Sequence, residues 1–166
     1  MTKQSGPTRG YVDERIDVAQ TVYNYAMGID TKDWDLHRSI FADEVTMDFE
    51  SWNQVPKHVI RADELKKNVS VYFAGLDATQ HSMTNPQVTI DGDRARCVVY
   101  MQAEHFLNDA EPARRFVIGG YYTDELVRDG DQWKIVAVTL KVLWTRGDKS
   151  FMDDAHIRGA KRLGLG

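Results

Sequence analysis

The chain has 166 residues, with 21 Lys and Arg against 25 Asp and Glu and a net charge of −4, a length that predicts one domain at ~100–200 residues per domain. A mildly acidic chain is a poor match for polyanions, whose binding rests on basic side chains neutralising phosphates, so no nucleic-acid partner is expected. Hydrophobic residues at 42% and charged residues at 28% exclude disorder, the single cysteine Cys97 excludes an internal disulfide framework and a Cys-based zinc site, and no apolar run approaches the ~18–20 residues of a membrane span.

The polar stretch Met1–Arg9 lacks the apolar core of a signal peptide, so the expectation is a cytoplasmic globule with no membrane partner. Residues 1–10 read as a loose tail, 11–146 as the domain and 147–166 as a second tail that could serve as a lid or an oligomer arm. From Tyr11 to Met27, Val12, Ile16, Ala19, Tyr23 and Ala26 recur at helical spacing, with Gly28 as the expected stop. A second helix is expected at Lys32–Phe41, with Trp34, His37, Ile40 and Phe41 on one side. Val45, Met47 and Phe49 alternate with polar residues as a half-buried strand does. Residues 50–60 read as loop, and Leu65, Val69, Tyr72, Phe73 and Leu76 mark a third helix.

After Asp77 the period changes to two. Asp91-Gly92 and Asp129-Gly130 signal hairpins between strands expected at 79–90, 94–107, 114–128 and 133–145. The last is apolar on both faces, with Ile135, Ala137 and Leu143 on one and Val136, Val138, Leu140 and Val142 on the other, as a central covered strand requires. Helices first and antiparallel strands after predict an α+β domain with helices on one face of the sheet.

His105 shares its face of the strand 94–107 with Ala95, Cys97, Val99, Met101, Ala103 and Leu107, so it points inward. Burial of an ionisable ring shifts its pKa, which suits acid–base work, although a core histidine satisfied by a backbone carbonyl fits the same pattern. His81 opens the first long strand and reads equally as an edge histidine. Asp30 lies just past Gly28, where it could cap the second helix. Tyr25 reads as a packed aromatic or a proton donor; His37, His58 and His156 have no evident partner. No ligand spacing supports a metal, no Gly-rich loop supports a phosphate cofactor, and Gly119-Gly120 reads as a bend or bulge within a strand.

The run Tyr25 to Asp35, with Ile29-Asp30-Thr31-Lys32-Asp33-Trp34-Asp35, and the segment Gly119-Gly120-Tyr121-Tyr122-Thr123-Asp124 followed by Asp129-Gly130 and Trp133-Lys134, resemble the SnoaL-like family of the nuclear transport factor two-like superfamily. The likeness spans roughly residues 11–146 and lies nearest scytalone dehydratase, bile acid 7α-dehydratase and lindane dehydrochlorinase. It implies a cone-shaped α+β barrel, in which a curved, mainly antiparallel sheet and three helices from the N-terminal half enclose one pocket. It further implies cofactor-free elimination and a homotrimer. The family's Asp–His pair falls on Asp30 and His81, a third polar position on His105, and a tyrosine on Tyr25. Ile29, Phe49 and Tyr122 stand where scytalone dehydratase has two tyrosines and an asparagine, so the other two pockets are the better match.

The expected activity is therefore dehydratase-type elimination on a small hydrophobic, cyclic, hydroxylated substrate. Its pocket is expected to be lined by Met47, Phe49, Phe73, Met83, Met101 and Tyr122. Two other classes fit the same fold: a ketosteroid-type isomerase, and a non-catalytic binding protein or accessory subunit of the dioxygenase small-subunit kind.

Overall fold

The computed structural model describes residues 10–110 and 113–165, so Met1–Arg9 of the expected N-terminal tail lie outside the described residues. Helix α1 spans Tyr11–Asp30, and Val18, Val22, Tyr25, Ala26 and Ile29 form its buried stripe, spaced as a 3.6-residue turn requires. Each fully buried Val or Ile contributes roughly 1.5–3 kcal/mol. That stripe fixes the rotation of α1, and with it the directions of Tyr25 and Asp30.

Gly28 does not stop the helix. A Cβ there would stand 2.8 Å from both Cβ and N of His37, so the bare position lets α2, Trp34–Ser39, cross closely. The second helix is shorter than expected because Asp33 caps it, accepting from the Leu36 N–H at 2.9 Å, and because Phe41 already begins a strand. The cap of α2 is thus Asp33, and Asp30 is left for another partner.

Strand β1, Phe41–Asp48, is followed by the single turn α3, Glu50–Asn53, the strand β2, His58–Arg61, and helix α4, Ala62–Gly75. The stretch expected as loop therefore holds two elements, each too short for periodicity to show. Phe49 is not in the strand; it is the N-cap of α3. Four long strands follow: β3 Ala78–Asp91, β4 Arg94–Leu107, β5 Arg114–Asp129 and β6 Gln132–Arg146, each end within one residue of its expected place. Gly92 and Gly130 turn the two hairpins at φ +58° and +60°.

The strand order is β2-β1-β6-β5-β4-β3, with β1 parallel to β6 and every other pair antiparallel. So β6 is internal, as its apolar faces require. Its faces differ from the expected ones, however. The register with β5 slips between Glu125 and Leu126 and again between Gly119 and Gly120, leaving Val136 and Leu143 as extra residues. The first bulge puts Ile135 on the same buried side as Val138 and Leu140, where strict alternation separates them. Bulges bend and twist a strand, and the sheet curls without closing, with the helices against it.

The segment after Arg146 has no clear period in sequence, yet Phe151–Arg162 forms helix α5. Phe151, Ala155 and Gly159, four residues apart, are its buried side. A Cβ on Gly159 would come 1.7 Å from the Val71 carbonyl oxygen, and one on Gly75 1.7 Å from that of Ala155, so α4 and α5 cross backbone to backbone. Asp77 locks this crossing by accepting from Arg158, Arg162 and the Asn108 N–H; those hydrogen bonds hold its carboxyl far below the usual carboxylate range. None of the described helices is long and apolar enough to cross a membrane.

A methyl group at the crossing must push the two helices apart. Overpacking costs typically ~1–3 kcal/mol, and each kcal/mol moves the melting temperature of a chain this size by ~2–4 °C. Gly159→Ala should therefore melt several degrees below the wild type in a calorimetric scan. An unchanged melting temperature would show that α5 is not clamped as described.

Candidate active site

The C-terminus of α1 and the start of β3 meet at one carboxylate. Asp30 Oδ2 accepts from the backbone N–H of His81 at 2.7 Å, and Oδ1 lies 2.7 Å from His81 Nδ1. A carboxylate only accepts, so the hydrogen bond assigns the proton to Nδ1 and leaves Nε2 as the ring's basic nitrogen. The His81 side chain is 4% exposed and that of Asp30 20%. Two contacts to one residue hold the imidazole in a fixed orientation, which is what an acid–base group requires.

A row of rings runs away from this pair. The His81 ring lies 5.8 Å from His105, 5.9 Å from Phe73 and 6.5 Å from Tyr25. His105 continues to Phe116 at 6.5 Å, and Phe116 to Phe151 of α5 at 6.4 Å and to Trp52 at 5.8 Å. His105 Nδ1 donates to the Phe116 carbonyl at 3.3 Å. Burial first and the neighbouring His81 ring second pull its pKa down to about 4. At neutral pH the ring is uncharged and its Nε2 is an acceptor, so His105 has no proton to give a departing group.

On the other side, Tyr25 packs 5.4 Å from Tyr122, whose ring is 6.2 Å from Phe49. Burial pushes the Tyr25 hydroxyl up to about 12, against a hydrogen bond with Tyr122 that lowers it. It raises Tyr122 well above its ordinary value. Both are neutral hydrogen-bonding groups rather than anions. Of the expected pocket lining, Met47 and Met101 are buried, and Phe49, Phe73 and Met83 are half-buried against the same core. The alternation of β3 and β4 sets Met83 opposite Met101.

Two interior residues went unmarked in the sequence as site residues. Asp124 is 3% exposed on β5, opposite Cys97 and Val138, and burial pushes its carboxyl up to about 8. Its signal was the alternation Tyr122, Asp124, Leu126, which puts a carboxyl on an apolar face. His37 is wholly buried with neither ring nitrogen hydrogen-bonded, packed at 5.2 Å against both Tyr25 and Phe41; burial draws its pKa down to about 4. The remaining histidines are elsewhere: His58 is exposed beside the Pro56 carbonyl, and His156 lies on Tyr72 at the α4–α5 surface. Lys141 and Arg146 are exposed.

No group of three or more His, Cys, Asp or Glu side chains that could hold a metal occurs among the described residues. A surface hollow lies between Arg38, Arg128 and Lys134, away from the Asp30–His81 pair. Arg38 pairs with Asp43 and Asp63, Arg128 with Glu14 and Asp93, and Lys134 donates to the Ser39 carbonyl.

A curled, open six-stranded sheet with helices closing its inner face is the nuclear transport factor two-like architecture. Within that class the chain belongs to the SnoaL-like domain family, whose pattern matches residues 11–139. A crystal structure of the Kfla4162 protein from Kribbella flavida superposes with a TM-score of 0.78 at 29% identity, covering 86% of this chain and 98% of that one. The terrestric acid biosynthesis cluster protein E of Penicillium crustosum is 28% identical over 144 residues, 82% of this chain and 88% of that one. A hexachlorocyclohexane dehydrochlorinase of Novosphingobium barchaimii shares the fold at a TM-score of 0.65 and 17% identity, over 83% and 92% of the two chains.

The raised pKa of Asp124 has a consequence for stability. In the unfolded chain the carboxyl loses its proton near pH ~4; in the folded chain it keeps it until about 8. Between those values the unfolded state binds fewer protons, so folding stability falls as pH rises. Asp124→Asn removes that loss. Melted at pH 4, 6 and 8, the variant should gain on the wild type progressively, at up to ~1.4 kcal/mol per pH unit. A variant that loses ground with rising pH would show that Asp124 is ionised in the fold.

Proposed function

We propose that the protein is a cofactor-independent lyase that eliminates water, or another small leaving group, from a small hydrophobic, cyclic, hydroxylated substrate. The observation that carries this reading is the doubly held Asp30–His81 pair, its imidazole almost wholly out of solvent and flanked by Tyr25, Phe73 and His105. The elimination catalysed by the dehydrochlorinase of the same fold supports it.

His81 Nε2 removes a proton from the carbon next to a substrate carbonyl. Asp30 stabilises the imidazolium that results. The electron pair of the broken C–H bond passes into the carbonyl as an enolate, which accepts a hydrogen bond from the Tyr25 hydroxyl. Collapse of the enolate forms the C=C bond and expels the hydroxyl group. The imidazolium returns its proton to that group, which departs as water. His105 Nε2 accepts a hydrogen bond from the substrate hydroxyl and orients it. Atoms and charge balance over the cycle, and no cofactor enters it. The apolar walls of Met47, Met83 and Met101 match a substrate with little polar surface.

A positioned acid or base is worth ~10²–10⁴-fold in rate. Against a panel of hydroxylated cyclic ketones, His81→Ala should lose at least 100-fold in kcat, on the order of that range. Asp30→Asn should lose nearly as much, and both should stay folded by circular dichroism. Full turnover by His81→Ala on a confirmed substrate would overturn the mechanism. The same reading includes a homotrimer, for which the outer face of the sheet offers Tyr100 and Trp144, 54% and 47% exposed. Sedimentation should give a species three times the 19.0 kDa chain mass; a monomer would reject that assembly.

A further inference from the structure

The proposed elimination leaves one polar group beside its base without a task. Among the described residues, four buried side-chain atoms have no hydrogen-bond partner: both ring nitrogens of His37, Trp133 Nε1 and Thr79 Oγ1. His37 packs at the α1–α2 crossing against Tyr25 and Phe41, and Trp133 lies under the Arg128 guanidinium. Thr79 alone of the three shares a strand with His81.

Thr79 is 9% exposed. It precedes His81 by two positions on β3, so both side chains stand on the same face, roughly 7 Å apart along the strand. Across the ladder it is paired with His105, and directly opposed residues of an antiparallel pair have Cβ atoms about 4.5–5.5 Å apart. Phe73 of α4 flanks this corner, 5.9 Å from the His81 ring and 6.0 Å from that of His105. A small group touching both imidazoles is therefore within reach of the threonine hydroxyl. Valine has the shape of threonine without that hydroxyl. A buried hydroxyl with no partner lowers stability, so the polar side chain is a burden on the free fold.

We infer that Thr79 Oγ1 donates a hydrogen bond to the oxygen of the leaving hydroxyl, whose own proton is held by His105 Nε2. The inference rests on the elimination proposed above and deepens it. His105 Nδ1 donates to the Phe116 carbonyl, so its Nε2 only accepts. An acceptor on the proton of a departing hydroxyl pushes negative charge onto the oxygen and, acting alone, opposes departure. A threonine hydroxyl donates as well as accepts. A donor aimed at that oxygen stabilises the charge that gathers there as the C–O bond lengthens. No proton moves to or from Thr79; the His81 imidazolium still supplies the proton with which water departs. The Thr79–His105 pair narrows the leaving group to a hydroxyl, which accepts from one and donates to the other. A halide has no proton to donate.

The test compares 2-tetralol with 2-fluorotetralin, the same bicycle with fluorine in place of the hydroxyl. Fluorine is close to a hydroxyl in size, donates no hydrogen bond and accepts only weakly. Affinities for both are measured by calorimetry on the wild type, Thr79→Val and Thr79→Ser, and the unliganded proteins are melted.

The wild type should prefer 2-tetralol by more than about tenfold, the worth of two net hydrogen bonds, and Thr79→Val should lose about fivefold of that preference. Thr79→Ser, which keeps the hydroxyl, should restore it. Unliganded Thr79→Val should melt at or above the wild type, because a methyl group replaces an unpaired hydroxyl in the same shape. A threonine with a merely structural role gives the opposite pattern, a lower melting temperature with the preference unchanged. An unchanged preference in Thr79→Val, no restoration by Thr79→Ser, a Thr79→Val protein that melts below the wild type, or no binding of either compound overturns the inference. Because turnover is not read, the reaction is judged separately. An unchanged preference in Thr79→Val with turnover lost in His81→Ala rejects the Thr79 contact alone. The expected loss in Thr79→Val with full turnover by His81→Ala rejects the reaction alone.

Discussion

Everything about this interior depends on one carboxylate that joins a helix end to a strand start. Asp30 spends one oxygen on the backbone of His81 and the other on its ring. Both contacts need α1 to run on past Gly28, to be turned so that Asp30 faces β3, and to lie close to α2. The Val18–Val22–Ile29 stripe supplies the rotation, and the missing side chain at Gly28 supplies the closeness. Shifted one residue along α1, the carboxylate would point elsewhere, because successive helical residues are ~100° apart.

Around that pair, desolvation sets the character of the interior. It lowers the pKa of His105 and His37 and raises those of Tyr25, Tyr122 and Asp124. Bases lose their protons and acids keep theirs, and each ends uncharged at neutral pH. The core around the pair is polar in atoms but nearly neutral in charge. In the elimination we propose, such an environment would leave the enolate to fixed hydrogen-bond donors rather than counterions, which is where preorganised sites gain most.

Much of this was legible in the residues, for physical reasons that differ from element to element. The four long strands showed themselves because period-two burial repeats over a dozen residues and because Asp-Gly turns demand positive φ. The inward direction of His105 followed from the same alternation. The order of residues around Asp30 and His81 was readable only through family likeness, since their meeting depends on a contact across fifty-one positions that no local pattern encodes. The boundary of α1 was misread because glycine signals a stop by default, whereas this one makes room for a neighbour. The faces of β6 were misread because a bulge changes parity without leaving a mark in composition. Asp124 escaped notice because a lone acid in a strand is ordinarily solvated.

The row of rings from Tyr25 through His81, His105 and Phe116 ends on Phe151, and Phe151 belongs to the final helix. The carbonyl that accepts from His105 therefore belongs to a residue packed on α5, a helix that follows every strand in the chain. A nascent chain that has made α1 and all six strands still lacks the wall behind His105. Long-range contacts of this kind are slow to form. The end of the aromatic row is thus built from two distant parts of the chain, and undocking α5 would strip Phe116 of its Phe151 neighbour.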